Sequence, residues 1–204
     1  MTFWDCCAPF YDLLAKTNGH AYGNMLKLVH EYVPQNATVL EAAAGTGAIT
    51  LAVADKASHV LCTDISEKML NIARRKIRKR AAKNVTVDHR SIDNLVEPDS
   101  SYDVVIAGQV LHLIDEPEKA AAELRRVAKT IVMLPMVFTK DLHGMAKLGV
   151  SVFRLLGFSP QREFSLDEYE SFLPVIGFNN CEIIPIQGKI PMAVAIWKKT
   201  QEQC

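Results

Sequence analysis

The chain has 204 residues, and its 23 lysines and arginines are balanced by 23 aspartates and glutamates, so the formal net charge is zero. This length suits a single domain, and an apolar content of 49% is enough to build a sizeable core. The balanced charge excludes a globally basic nucleic-acid or membrane-surface binder, and no stretch approaches the roughly 20 apolar residues that span a bilayer.

The N-terminal region, residues 1–33, is rich in aromatic side chains and precedes the first apolar run. Its opening, "MTFWDCCAPF", lacks the basic start and the apolar run of a signal peptide. The five cysteines of the chain show no metal-ligand spacing, so adjacent Cys6 and Cys7 favour two small buried residues over a soft-metal site. The sequence therefore predicts a soluble cytoplasmic protein without a bound metal.

Apolar runs and helix-like stretches alternate through the middle of the chain. Strands are predicted over 38–43, 59–65, 85–91, 102–109 and 130–136, and helices over 48–57, 66–83 and 117–129. Runs that are apolar on both faces and alternate with helices are typical of a parallel sheet covered on both sides. The sequence therefore predicts a doubly wound α/β domain, in which ligands bind beyond the carboxyl ends of the strands.

The C-terminal part departs from this alternation. Two further strands, 181–186 and 191–197, are separated by a turn near Gly188 and predict an antiparallel hairpin. The whole is a mostly parallel seven-stranded, Rossmann-like sheet in one domain over residues 1–204. In segment 139–160 an apolar stripe recurs at helical spacing, formed by Met145, Leu148, Val152 and Leu155.

A glycine turn joins the first strand to the first core helix in "VLEAAAGTGAITLAV", residues 39–53. A dinucleotide site needs a third glycine or an alanine where this chain has Thr50, and its pyrophosphate would be repelled by Glu41. A carboxylate at that position suits a cationic ligand instead. S-adenosylmethionine (SAM) carries an ammonium and a sulfonium and has no phosphate, so the backbone at Gly45 and Gly47 can pass close beneath it.

The second strand ends on another acid. Asp64, 17 residues beyond Gly47, is placed to accept both hydroxyls of a ribose, a feature that NAD sites share. Ile65 and Met69 follow and are placed to flank an adenine.

Four motifs in order carry a resemblance to a known family: "APFYD", "VLEAAAGTG", "DISEKMLNIAR" and "DSSYDVVIAGQVLHLIDEPEKAAAELRRV". From about Tyr11 to Met136, and more loosely in the terminal hairpin, the chain resembles the class I SAM-dependent methyltransferases. It is most similar to their small-molecule, quinone-biosynthesis-like subgroup. The resemblance implies SAM as cofactor, S-adenosylhomocysteine (SAH) as product, and a small apolar or amphipathic acceptor of undetermined atom type.

The resemblance also implies which residues contact the cofactor, with Tyr11 closing over it from the N-terminal segment. The full set is Tyr11, Glu41, Ala43, Gly45, Thr46, Gly47, Asp64, Ile65, Met69, Ser91, Ile92, Ala107 and Gln109. Ala43 replaces the family's first glycine, and Ser91 stands where the family has an adenine-side aspartate, for which Asp93 is a substitute. The family's turn before the fifth strand is missing, which predicts a shortened loop. Residues 1–33 would act as a lid and 139–160 as a substrate-side insert.

Methyl transfer from a sulfonium needs a base only when the nucleophile must lose a proton. The candidates are His112, which follows the fourth strand, and His143 in the insert; a histidine that merely lines the loop is the alternative for His112. The seven cations of "RRKIRKRAAK", residues 74–83, favour a solvated helix face over a site for RNA or an anionic lipid.

A methyltransferase that acts on a small molecule, as a monomer or homodimer and without nucleic-acid or integral membrane contacts, is the leading hypothesis. The alternative is a non-catalytic cofactor-binding or partner subunit, suggested by the stripe in segment 139–160. A nicotinamide-dependent oxidoreductase is a third hypothesis, and Thr50 and Glu41 argue against it.

Overall fold

The computed structural model describes residues 3–140, 142 and 159–200. Within these ranges lie the helices α1 (Phe3–Thr17), α2 (Gly19–Tyr32), α3 (Ala48–Val53), α4 (Glu67–Arg80), α5 (Pro117–Val127) and α6 (Leu166–Val175). The strands are β1 (Thr38–Ala42), β2 (His59–Asp64), β3 (Val85–His89), β4 (Tyr102–Ile106), β5 (Ala128–Val137), β6 (Glu182–Ile186) and β7 (Met192–Lys198). None of the helices in the described ranges combines the length and the apolar character that crossing a membrane requires.

The seven strands form one sheet in the order β3-β2-β1-β4-β5-β7-β6. The first five are parallel, whereas β7 runs antiparallel to both β5 and β6. The predicted seven-stranded sheet with a C-terminal antiparallel hairpin is therefore confirmed. The chain leaves β3 at one edge and returns to β4 beside β1, so the strand order reverses between β1 and β4, where ligands bind in folds of this class.

Both faces of the sheet are covered, because alternate residues of each strand point to opposite sides. On one face Val39 packs in a cluster with α2 and α3, and on the other Leu40 packs in a cluster with α5 and α6. α4 covers β2 on the Val39 side. Glu41 lies two residues beyond Val39 and points to the same face.

Several predicted elements are longer than those observed. α3 ends at Val53, not 57, and the Asn84 side chain then donates to the carbonyls of Ala54 and Ala57 at 2.7 and 2.8 Å. α4 ends at Arg80, because Ala81 is left-handed with a φ of 53°. The predicted strand 102–109 ends at Ile106.

The shortened loop before the fifth strand is observed, since α5 ends at Val127 and β5 begins at Ala128. The sequence did not predict helices within residues 1–33, where α1 and α2 meet at buried Asn18. The Asn18 amide donates to the Ile190 carbonyl at 2.8 Å and accepts from its N–H at 3.2 Å, which ties this junction to the turn of the hairpin. The predicted apolar stripe of segment 139–160 and His143 lie outside the described residues.

Candidate functional site

A cavity of about 340 Å³ opens at the carboxyl ends of β1, β2 and β4. Backbone and side chains from α1, the glycine turn, α4 and the loops after β3 and β4 form its wall. The lining residues are Trp4, Tyr11, Ala43, Gly45, Asp64, Ile65, Met69, Arg90, Ser91, Ile92, Asp93, Gly108, Gln109, Val110, Leu113, Ile114 and Asp115. This position, beside the point where the strand order reverses, is the one that the predicted fold assigns to a ligand.

The glycine turn is built from left-handed residues. Ala43, Gly45 and Gly47 have φ values of 55°, 55° and 73°, and alanine adopts this conformation only at a cost. A β-carbon on Gly47 would lie 3.1 Å from the β-carbon of Ala73, so this glycine lets the turn approach α4 closely. Gly45 faces the cavity instead, where a β-carbon would lie 3.9 Å from Tyr11 Cε1.

Asp64 is held rigidly at the end of β2. Its Oδ2 accepts from the Gly45 N–H at 2.7 Å and its Oδ1 accepts from the Ser66 N–H at 2.8 Å. Burial nevertheless raises the pKa of this carboxyl above its ordinary value. Each oxygen keeps a further lone pair, so a cavity ligand can donate two hydroxyls to it.

Glu41 lies beneath the glycine turn and is only 2% exposed. It lines a smaller cavity that shares Tyr11, Gly45 and Gln109 with the main one. The Thr50 hydroxyl donates to its Oε2, which shows why a threonine stands where a dinucleotide site needs a small residue. Burial raises the pKa of Glu41 to about 8, so the site offers a proton-bearing acid that a cationic ligand would ionise.

Two aromatic residues of α1 form one wall of the cavity. The rings of Trp4 and Tyr11 meet edge to face, with centroids 6.3 Å apart. Burial, with a smaller contribution from Asp64 and then Glu41, raises the pKa of Tyr11 to about 12. Tyr11 therefore keeps its proton at neutral pH and presents a hydroxyl donor.

The other end of the cavity carries polar groups after β3. The Ser91 hydroxyl donates to Asp93 Oδ1, and both residues line the cavity. Ile65 is 55% exposed at the rim, where its carbonyl lies 2.7 Å from His89 Nε2. An apolar side chain beside polar acceptors suits a flat heteroaromatic ring with an exocyclic amine.

Residues 39–130, from β1 to β5, match the methyltransferase domain family. Over 91 residues the chain is 36% identical to a demethylmenaquinone methyltransferase of Clavibacter sepedonicus, which covers 45% of this chain and 36% of the relative. It is 24% identical over 191 residues to a malonyl-[acyl-carrier protein] O-methyltransferase of Geobacter sulfurreducens, which covers 86% of this chain and 68% of the relative.

Solved structures share the fold. A SAM-dependent methyltransferase from Aquifex aeolicus superimposes with a TM-score of 0.68 at 22% identity, covering 85% of this chain and 88% of that one. Magnesium protoporphyrin IX methyltransferase from Synechocystis, solved with bound SAH, gives a TM-score of 0.69 at 18% identity over 92% of this chain and 87% of its own. Residues 39–130 therefore resemble a methyltransferase domain, and the chain has the fold of these SAM-dependent methyltransferases. The chain spans little more than a third of the length of the demethylmenaquinone methyltransferases that it matches, 36% and 38% for two of them.

Most of the residues predicted to contact the cofactor come together in the structure. The main cavity is lined by Tyr11, Ala43, Gly45, Asp64, Ile65, Met69, Ser91, Ile92 and Gln109. Glu41 and Thr46 line the smaller one. Gly47 and Ala107 line neither of the two cavities; Gly47 packs against α4, and Ala107 is 1% exposed and donates its N–H to the Met133 carbonyl.

Sequence reasoning missed part of the wall. Trp4, Arg90, Val110, Leu113, Ile114 and Asp115 line the cavity without having been predicted. Those after residue 109 follow the carboxyl end of β4, so the rule that placed Gln109 in the site extends to them. Trp4 was covered only by the prediction that residues 1–33 form a lid, and nothing local to Arg90 points to the cavity, because α1 and the loop after β3 reach it only through tertiary packing.

His112 does not line either cavity. His112 is 9% exposed, and its buried Nδ1 has no hydrogen-bond partner in the described part of the chain. Burial lowers the pKa of this imidazole to about 4. Its carbonyl accepts from the Arg162 N–H at 3.1 Å, so the loop after β4 is joined to the segment before α6. A catalytic role of His112, like that of His143, stays a prediction.

Proposed function

We propose that this methyltransferase binds SAM in the cavity beside the glycine turn and transfers the methyl group to a small apolar or amphipathic acceptor. The observation that carries the proposal is the buried carboxyl of Glu41 beneath the turn, close to Asp64 in the cavity wall. Acids at both places select a ligand with a positive charge and free hydroxyls.

The residues present fit the parts of SAM. Asp64 has a free lone pair on each oxygen for the ribose hydroxyls, and ionised Glu41 attracts the ammonium directly or through water. Ser91 and Asp93 offer acceptors to an exocyclic amine, and Ile65 offers an apolar surface to the adenine ring.

A phosphate-bearing ligand fits poorly. The nearest cation of the main cavity wall, Arg90, is already engaged by Asp88 at 2.7 Å and by Glu97. A pyrophosphate at the glycine turn would face Glu41 and Asp64 without a free cation among the lining residues. The arrangement therefore disfavours the nicotinamide-dependent alternative.

When bound, SAM supplies an electrophilic methyl group on a sulfonium, and the departing product carries a neutral sulfur. The chain contributes position and exclusion of water, which account for much of the rate of such a displacement. An imidazole with a pKa of about 4 is neutral at pH 7 but a weak base, so His112 would assist only an acceptor whose proton is readily lost. Demethylmenaquinone, which the names of several relatives contain, is the first acceptor to assay.

The remaining expectations belong to the same proposal. The chain would act as one cytoplasmic domain, a monomer or homodimer, with residues 1–33 as a lid and 139–160 as the acceptor-side insert. The position of Trp4 and Tyr11 in the cavity wall supports the assignment of the N-terminal segment.

The direct test is calorimetric titration of the purified chain with SAM, SAH and NADH. Wild type is expected to bind SAM and SAH but not NADH, and Asp64→Ala is expected to weaken SAH binding tenfold or more, since hydrogen bonds to a charged group are worth about 1.5–3 kcal/mol. Asp55→Ala is the matched control, because that side chain is 74% exposed and absent from both cavity walls. Absence of SAM and SAH binding would refute the proposal.

A second assay follows SAH formation with a panel of phenols, amines and thiols that begins with demethylmenaquinone. Turnover of any one of them identifies the acceptor class. Cofactor binding without turnover, together with a stable hetero-complex, would instead support the non-catalytic alternative.

A further inference from the structure

Lys76 differs from the other cations of the basic run 74–83. Arg75, Arg78 and Lys79 are exposed on the surface of α4, as expected for cations near the C-terminal end of a helix. The side chain of Lys76 is only 28% exposed and points toward the glycine turn. The position of Lys76 in the basic run does not explain this orientation. The contacts of its ammonium explain it.

The Lys76 ammonium joins three parts of the molecule. Nζ donates to Asp12 Oδ1 of α1 at 2.9 Å, to the Thr46 carbonyl of the glycine turn at 3.0 Å, and to Thr46 Oγ1 at 3.1 Å. The Thr46 hydroxyl in turn donates to Asp12 Oδ1 at 2.7 Å. An ammonium has three N–H donors, and these three acceptors use all of them.

This network lies directly behind the cavity wall. Thr46 is 1% exposed and sits between the left-handed glycines Gly45 and Gly47. Asp12 follows Tyr11, whose ring lies against Gly45. A shift of Asp12 away from Thr46 would therefore move Tyr11 away from the turn.

The rest of α1 is held independently. Near its N-terminal end the Ser66 hydroxyl donates to Asp5 Oδ1 at 2.7 Å, and Cys7 and Ala8 are buried. Loss of Lys76 would loosen the middle of α1 around Tyr11 while its ends, at Asp5 and at the Asn18 junction, stay attached. The Trp4 ring packs edge to face on the Tyr11 ring and would lose that contact. An isolated surface ion pair is worth little, but this pair is partly buried and shares its acceptors with a buried hydroxyl.

We propose that Lys76 is a positioning residue that ties α1 to the glycine turn, and so holds the Trp4–Tyr11 wall closed over the cofactor. The inference rests on the proposed function for its ligand. It predicts that removing either Lys76 or Asp12 speeds the release of the cofactor. Loss of Asp12 removes the whole link, whereas loss of Lys76 leaves the single hydrogen bond from Thr46 to Asp12.

If Lys76 and Asp12 acted on the ligand only through their charges, the expected results would differ. Removing the Lys76 cation should tighten binding of cationic SAM, whereas removing the Asp12 anion should weaken it. The sign of the two effects therefore separates positioning from electrostatics. SAH, which lacks the sulfonium charge, is the ligand for the rate measurement because the long-range charge effect is smaller for it.

The experiment measures SAH release by stopped flow in the full chain, for wild type, Lys76→Met, Asp12→Ala and the double variant. Lys79→Met on the same helix is the matched control, since within the described residues Lys79 forms no ion pair. Acrylamide quenching without ligand reports the wall directly. The two tryptophans are Trp4 and Trp197, and Trp197 is 4% exposed and shielded from the quencher.

We expect Asp12→Ala to release SAH about tenfold faster, the double variant to match Asp12→Ala, Lys76→Met to lie between Asp12→Ala and wild type, and Lys79→Met to match wild type. Trp4 should be quenched more strongly in all three network variants. Unchanged release and unchanged quenching, or opposite effects of the two single variants on SAM affinity, would overturn the inference and leave the proposed function intact. If wild type binds no SAH, the proposed function fails, and the quenching of Trp4 decides the inference alone. Should Lys76→Met not fold, Asp12→Ala breaks the link from the α1 side.

Discussion

Replacing Glu41 by glutamine is expected to stabilise the free protein and weaken its binding of SAM. In the folded chain burial raises the pKa of Glu41 to about 8, from an ordinary value of 4.5. The folded state therefore holds this proton more tightly than the unfolded chain does between pH 4.5 and 8. The protonated carboxyl therefore stabilises the folded state in full below pH 4.5, and this stabilisation is lost as the pH rises from 4.5 through 8.

The size of the effect follows from the difference between the two pKa values. Each pH unit above 4.5 lowers the free energy of unfolding by about 1.36 kcal/mol relative to a chain without an ionisable group at this position. The difference reaches about 3 kcal/mol at pH 7. A glutamine has no charge to lose and its carbonyl can still accept from the Thr50 hydroxyl. Glu41→Gln should therefore raise the free energy of unfolding by about 1–3 kcal/mol at pH 7, and Tm by about 5 °C.

Binding should change in the opposite direction. With a pKa of about 8, only about a tenth of the free protein carries ionised Glu41 at pH 7, and a cationic ligand selects that fraction. The affinity of wild type for SAM should rise about tenfold between pH 6 and pH 7, whereas that of Glu41→Gln should stay flat. Three other titratable side chains near Glu41 do not mimic this, because burial raises the pKa values of Tyr11, Tyr22 and Cys62 above their ordinary values and all three stay neutral over this range.

Denaturant unfolding at pH 5 and pH 7, with calorimetric titration of SAM at pH 6 and pH 7, measures both halves of the prediction. Glu170→Gln is the matched control, because Glu170 is exposed on α6 and lines neither cavity. A Glu41→Gln protein that is less stable than wild type at pH 7, or equally changed at both pH values, would refute the reasoning.

Two further substitutions test the loops around the cavity. Ala43→Gly should raise the free energy of unfolding by about 0.5–1 kcal/mol, because glycine adopts the left-handed backbone at φ 55° without strain. The neighbouring control Ala44→Gly should lower it. Denaturant unfolding that ranks the two variants the other way contradicts this. His112→Gln should lessen acid denaturation. The pKa of the imidazole falls from 6.5 to about 4 on folding, so the free energy of unfolding of wild type drops by up to about 3 kcal/mol between pH 6.5 and pH 4. A variant with the same pH profile as wild type would show that His112 is not the buried titrating group.

The sheet could be predicted because its pattern is local. Strands such as 59–65 are apolar on both faces, and the turn between strand and helix is marked by Gly45 and Gly47, so neighbouring residues carry the information. Element ends were predicted less well. α3 stops at Val53, and the side chain of Asn84, distant in the chain, donates to the carbonyls of Ala54 and Ala57 just beyond it. α6 begins with a capping box, in which Ser165 and Glu168 bond each other's backbone N–H, and the sequence signal for it was overlooked.

The residues of the candidate site were likewise predicted only in part. Asp64 and the glycine turn were found because each follows a strand, and the ends of parallel strands meet at one edge of the sheet. Trp4 and Arg90 were missed, because their place in the cavity wall depends on how α1 and the loop after β3 pack.

The sequence by itself determined a doubly wound α/β fold of the methyltransferase type, with acids at the ends of its first two strands. Only the tertiary structure decided the states and partners of those acids: Glu41 is buried under Thr50, and Asp64 is fixed by two backbone amides. It also decided that Lys76 meets Asp12, 64 residues away in the chain. Periodicity encodes which residues share a face of one element, but burial and contact depend on how separate elements pack, and burial sets the pKa of a carboxyl.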